Sequence, residues 1–150
     1  KKIAEELKRA NFKVLLYDNL HQLNDDTDIL LVNVYGEALK FYKTSKCVFL
    51  GKSLVESLKK DSGQNPIEPA RLGCTIFHGP NVNNFDEVYE FLKSLGVANK
   101  VNSPEELSQA LVEELKKDKE KNENILKKIE NYGSNILNNV LREIKIYINN

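Results

Sequence analysis

The chain has 150 residues, with 22 Lys and Arg against 22 Asp and Glu, so its formal net charge is zero. That length fits one domain or one lobe of a larger protein, and a hydrophobic share of 41% supports a packed core and excludes a disordered chain. Balanced charge argues against a dedicated nucleic-acid binder, no apolar run approaches the ~20 residues of a membrane span, and two cysteines make no disulfide framework and suit a reducing compartment.

The chain opens on KKIAEELKRANF, where Ile3, Leu7 and Ala10 recur at helical spacing. With no Met anywhere and a start that reads as the middle of a helix, a fragment lacking its N-terminal part is expected. Residues 12–17 (FKVLLY) form the first strand pattern, followed by a polar turn at Asp25, Asp26 and Asp28. Residues 28–34 (DILLVNV) are a second apolar run of strand length, and 36–42 (GEALKFY) turn helical. A third strand is expected over 46–51, a polar loop over 58–64, a short helix over 67–72 and a fourth strand over 74–77. An amphipathic helix over 86–95 closes on Gly96 as its C-cap, and a weaker fifth strand follows over 97–101. Ser103, Pro104 and Glu106 then make a capping box for a helix running to about 117.

Strand and helix alternating at this spacing define an α/β fold: a Rossmann-like parallel sheet with helices on both faces. The runs DILLV, CVFL and CTIF are almost continuously apolar, as in parallel strands buried on both sides. Ligands in such folds sit beyond the carboxyl ends of the strands, which directs attention to residues 34–37, 51–53 and 78–85. The tail differs. Residues 116–128 (KKDKEKNENILKK) read as a solvated connector, and Ile125, Ile129, Tyr132, Ile136, Val140, Ile144 and Ile148 then form one helical stripe. Gly133 and Ser134 are expected to break that stripe into two helices. The domain reading is an α/β lobe over 1–117 and a helical segment over 118–150.

Three strand-end segments carry candidate chemistry. Gly36 and Glu37 open a helix, whose unpaired N–H groups suit a phosphate; equally, Gly36 is a turn residue and Glu37 complements the helix dipole. Asn65 and Pro66 fit the N-cap and first position of a short helix, with Glu68 in its first turn and Pro69 after it. Two prolines hold that carboxylate rigidly, either for a sugar diol or simply as a favourable first-turn acid. The third segment, His78 to Phe85 in sequence HGPNVNNF, combines a Gly-Pro turn with a helix start near Asn84. His78 is a structural residue or a ligand; His21 reads as structural, and Cys47 and Cys74 read as core residues without metal spacing. No Walker loop, GxGxxG or Ser-His-Asp order is present. The excess of Lys, Asn and Ile follows an AT-rich codon bias, so single Lys and Asn residues count for less.

Together, FLGKSLV and SGQNPIEPARLGCTIFHGPNVNNFDEVYEFL resemble the C-terminal lobe of Kdo transferases, lipopolysaccharide enzymes that use CMP-Kdo. The pattern of that family runs roughly GGS-L-V, then HNP-L-EPA, then GP with NF shortly after, and VNVYGEALKFY is similar to its DTMGEL segment. The resemblance extends over about residues 3–117. In this chain Gln64 stands where the family has His, Lys52 replaces the second glycine of GGS, and Asn33, Val34 and Tyr35 replace the Asp-Thr-Met. The resemblance implies the two-lobed GT-B glycosyltransferase fold, with an N-terminal acceptor lobe that is absent here and holds the catalytic base. It assigns Gly36, Glu37, Ser53, Asn65, Glu68 and Asn84 to donor-nucleotide binding. It further implies Kdo transfer from CMP-Kdo to a lipid A precursor with inversion, no metal or other cofactor, and action at the cytoplasmic face of the bacterial inner membrane through segments absent here. Self-association by the C-terminal helix is expected if its stripe lacks a cover. Two alternatives stay open: another GT-B enzyme with a different nucleotide-sugar donor, and a non-catalytic α/β module that binds a partner.

Overall fold

The computed structural model of the chain describes residues 2–17, 25–61, 63–118 and 122–148. His21 and residues 119–121 of the charged run lie outside them. The chain divides into two compact units, Lys1–Ala38 and Leu39–Asn150.

In the first unit, helix α1 (Lys2–Arg9) buries Ala4 and ends where Asn11 takes φ 65° and the Phe12 amide returns to the Leu7 carbonyl. Asparagine tolerates that left-handed position better than most residues. Strand β1 (Val14–Tyr17) then pairs in parallel with β2 (Ile29–Val32), Val14 opposite Ile29 and Tyr17 opposite Val32. The Asp28 carboxylate accepts from the Lys13 amide at 2.8 Å and so ties the entry of one strand to the other. These strands are half-covered, with Leu16 and Val32 exposed. The apolar run of β2 reads as buried on both sides, and its observed burial falls short of that.

The second unit is built on β3 (Cys47–Leu50), β4 (Thr75–His78) and β5 (Ala98–Lys100), in the order β3-β4-β5, all parallel. Helix α2 (Ala38–Thr44) precedes β3, and α3 (Ile67–Arg71) leads into β4. Helix α4 (Asp86–Ser94) joins β4 to β5, and α5 (Pro104–Lys116) follows β5. The central strand β4 is the most buried, because neighbours hydrogen-bond it on both sides. Ile76, Leu92, Tyr89, Ala98, Leu50, Ala70 and Val82 form the core. Sequence signals hold locally. Gly96 has φ 71°, its amide bonds to the Lys93 carbonyl and that of Val97 to Leu92, which closes α4. Ser103 Oγ accepts from the Glu106 amide at 3.1 Å, while Glu106 reaches one residue further back than a simple box, to the Asn102 amide at 2.7 Å.

Two expectations are corrected. The segment expected as a polar loop contains a 3₁₀ turn over Glu56–Asp61, whose i,i+3 geometry lets Lys59 meet Glu56 at 3.3 Å. The tail is one continuous helix, α6 (Glu123–Ile148), running through Gly133 and Ser134. A glycine costs a helix about 1 kcal/mol. That is outweighed here by Ile129, which is wholly buried in the core, and by Tyr132, whose ring stacks on Phe91 at 4.0 Å. Beyond that point Ile136, Val140, Ile144 and Ile148 remain exposed. Among the described residues no helix is long and apolar enough to cross a membrane.

Candidate functional site

At the carboxyl edge of β3 and β4 three loops are sewn together. Ser53, in the turn after β3, is completely buried. Its hydroxyl donates to the Leu50 carbonyl at 2.6 Å and accepts from the Gly79 amide, after β4, at 2.8 Å. The Ser53 carbonyl in turn accepts from the Asn81 amide at 2.9 Å. Only glycine fits at residue 79: a β-carbon there would stand 2.5 Å from Leu54 Cα and closer still to the Ser53 carbonyl oxygen. The loop before α3 joins the same assembly. Gly63, at φ 67°, lies against Val82, and the Gln64 carbonyl accepts from the Tyr89 hydroxyl, on α4, at 2.9 Å.

His78, the last residue of β4, is 5% exposed, and its ring meets that of Tyr89 at 4.3 Å. Its Nδ1 lies 2.8 Å from the Gly79 carbonyl oxygen. A carbonyl can only accept, so Nδ1 carries the proton of the neutral ring. Burial pushes the imidazole below its usual value; the Gly79 carbonyl opposes this and Lys100 adds to it. Burial also raises the Tyr89 phenol well above its ordinary range. Both rings are therefore neutral, rigid parts of the site's wall.

On that support the polar residues of α3 and of the segment just before it face solvent. Asn65 Oδ1 accepts from the Ile67 amide at 3.0 Å just ahead of α3, whose N-cap position falls on Pro66, one residue later than the sequence suggests. Pro66 and Pro69 are buried beneath it. Glu68 is exposed in the first turn, and its charge, second to burial, raises the Tyr42 phenol. A carboxylate on a fixed turn at this edge can accept two hydrogen bonds from a vicinal diol. Asn84 is exposed in the 3₁₀ turn Asn83–Phe85 that opens α4.

The expected site residues are thus placed as follows. Four of them belong to the second unit: Ser53 in the turn after β3, Asn65 just ahead of α3, Glu68 in the first turn of α3 and Asn84 in the 3₁₀ turn before α4, with the Ser53 hydroxyl closed off inside and the other three exposed. Gly36, at φ 84°, and Glu37 precede α2 and belong to the first unit. Sequence reading missed Tyr89, the clamp on the Gln64 carbonyl, because it sits among ordinary core positions of an amphipathic helix. Cys74 is buried and its thiol donates to the Tyr42 carbonyl at 3.1 Å, the packing role expected of it. Among the described residues no group of three or more His, Cys, Asp or Glu is gathered as a metal site.

No family model matches the chain. Over 123 residues, 82% of its length, it is 29% identical to the 3-deoxy-D-manno-octulosonic acid transferase of Haemophilus influenzae. The chain spans 28% of the length of that relative. Its fold is similar to the crystal structure of the C-terminal CMP-Kdo binding domain of WaaA from Acinetobacter baumannii. The TM-score is 0.69 and the identity 20%, with 76% of this chain and 57% of the other covered. The fold is therefore α/β, of the kind found in the C-terminal lobe of a GT-B glycosyltransferase. In sequence the chain resembles the Kdo transferases.

Proposed function

We propose that the chain is the donor-nucleotide-binding lobe of a Kdo transferase, which moves Kdo from CMP-Kdo to a lipid A precursor in lipopolysaccharide synthesis. The observation that carries the proposal is Glu68, an exposed carboxylate on a first turn held by two buried prolines at the sheet's carboxyl edge. It is joined there by Asn65 and Asn84. The resemblance to Kdo transferases runs through those same residues, and the similar domain from Acinetobacter baumannii is described as binding CMP-Kdo.

In this reading Glu68 accepts hydrogen bonds from the ribose hydroxyls and Asn65 holds the loop beside it. Ser53 acts from inside, by fixing the turn after β3 against Gly79. Asn84 adds a donor contact in the second unit, and Gly36 and Glu37, in the first unit, keep the donor role that the resemblance assigns them. Residues 1–117 form the nucleotide lobe and 118–150 the helical segment. The acceptor and the base that activates its hydroxyl belong to a partner lobe, and the membrane face is reached through other segments. The reaction is a displacement in which the acceptor oxygen forms a bond to the anomeric carbon as the CMP phosphate leaves.

The test is calorimetric titration with CMP and with UDP, made in the longest natural polypeptide carrying this sequence. CMP should bind and UDP should compete poorly. UDP competing better than CMP would favour a different nucleotide sugar, and absence of nucleotide binding would leave a non-catalytic module. Residues 1–150 alone should transfer no Kdo; measurable transfer by them would overturn the placement of the base in a second lobe.

A further inference from the structure

Lys52 occupies a conformation that its side chain does not favour. Its φ is 65°, and apart from Asn11 it is the only residue other than glycine with positive φ among the described residues. Asn11 ends a helix, where asparagine commonly adopts this shape; lysine has no such local hydrogen bond to compensate. The conformation is imposed by the neighbouring residue: the Ser53 hydroxyl and carbonyl are both held by the loop after β4, and Gly79 lies directly against Ser53 and Leu54. A glycine at 52 would satisfy the same turn without strain.

The side chain itself is exposed and has no carboxylate partner among the described residues. The acid close by in the chain, Glu56, pairs with Lys59. A rigid turn at the carboxyl edge of β3 therefore presents an uncompensated ammonium beside the residues assigned to the donor. Strained backbone retained at such an edge is the form in which proteins keep a functional group in place.

We propose that Lys52 pairs with the phosphate of the donor nucleotide, an assignment that rests on the donor-binding reading above. Its charge steadies the phosphate that leaves during transfer, at the expense of backbone strain in the free protein.

The test compares wild type, Lys52→Gln and Lys52→Gly at low ionic strength, titrating each with CMP and with cytidine and recording thermal melts. Lys52→Gln keeps the strained turn and removes the charge. It should lose roughly three- to tenfold in CMP affinity and nothing in cytidine affinity, the loss shrinking as salt is added. Lys52→Gly should lose as much for CMP while melting about 2–5 °C higher, since it relieves the turn. CMP affinity of Lys52→Gln within twofold of wild type would overturn the assignment and leave the donor reading standing. An equal loss for cytidine and CMP would overturn it as well, because loop shape and not charge would then be responsible. A wild-type protein that binds neither compound would remove the donor reading and this assignment together.

Discussion

At the amino edge of β3-β4-β5, side chains close on one another. Thr75 donates to the Glu114 carboxylate at 2.6 Å, Lys117 reaches the same carboxylate at 2.7 Å, and Lys46 donates to the carbonyls of Leu115 and Lys117 at the end of α5. At the carboxyl edge of the same strands the order is reversed. There the internal bonds join loops to one another through Ser53, Gly79 and Tyr89, and leave Lys52, Asn65 and Glu68 facing outward. One edge uses its polar groups to bind the fold. The other uses buried groups to hold exposed ones still. The difference implies that stability and ligand binding can be damaged separately, by substitutions at opposite ends of one sheet.

The strongest way to break that separation is Gly79→Ala. Its β-carbon has no room against Ser53 and Leu54, so both loops must part. Overpacking of this kind costs typically 1–3 kcal/mol, and a clash with backbone atoms lies at or above the upper end. A chemical-denaturation curve should show a loss of about 3 kcal/mol, with CMP binding weakened too because the site's support moves. A loss below about 1 kcal/mol would mean that the loops are not held as described.

Glu68→Gln should do the opposite. A charge-assisted hydrogen bond is worth about 1.5–3 kcal/mol, so CMP affinity should fall roughly ten- to a hundredfold. The thermal midpoint should hardly move, since an exposed first-turn carboxylate contributes about 0.3–1 kcal/mol. Unchanged CMP affinity would remove Glu68 from the site.

Glu114→Gln sharpens the comparison from the other edge. Burial pushes the Glu114 carboxyl up, yet hydrogen bonds from Lys117 and Thr75 bring it to a net value below the usual carboxylate range. Removing the charge should cost about 1 kcal/mol near neutral pH and leave CMP affinity as it was. Because the folded carboxyl is depressed, the stabilisation is present above its ordinary value and fades as pH falls, so the two proteins should converge in acid. A gap that persists in acid would trace the effect to shape and not to charge.

Much of this arrangement is legible in the sequence, for reasons that differ by element. Four of the strands announce themselves because each contains a short apolar run, β5 (Ala98–Lys100) more weakly, and α3 announces itself through the Asn65-Pro66 pair just ahead of it. The continuity of α6 is hidden. Whether a helix survives Gly133 depends on Phe91, more than forty positions away, stacking on Tyr132. The site divides in the same way. Asn65 and Glu68 stand out through the prolines around them, whereas the closure of Ser53 inside the fold depends on Gly79, and the strain at Lys52 is a backbone property that no composition reveals. Local chemistry is written locally; what holds an exposed residue still comes from distant parts of the chain.

The smallest expected effect concerns His78, where the two roles of the carboxyl edge meet. It lies under the loops and binds nothing in the proposed site, so its contribution should be to stability alone. Burial lowers its folded value below that of the unfolded chain, the Gly79 hydrogen bond only partly opposing this, with Lys100 and Lys93 lowering it further and Glu90 raising it. Between the two values the unfolded chain binds the extra proton, so stability is complete above the ordinary histidine range and declines as pH drops through about 6.5 and below. His78→Gln keeps a donor for the Gly79 carbonyl and removes the titration. Denaturation curves at pH 7.5 and 5.5 should show wild type losing up to about 1 kcal/mol more than the variant across that interval. CMP affinity at pH 7.5 should match in the two proteins. Parallel pH profiles would show that His78 takes up its proton in the folded state without cost, and a fall in CMP affinity would move the residue from the wall of the site into the site itself.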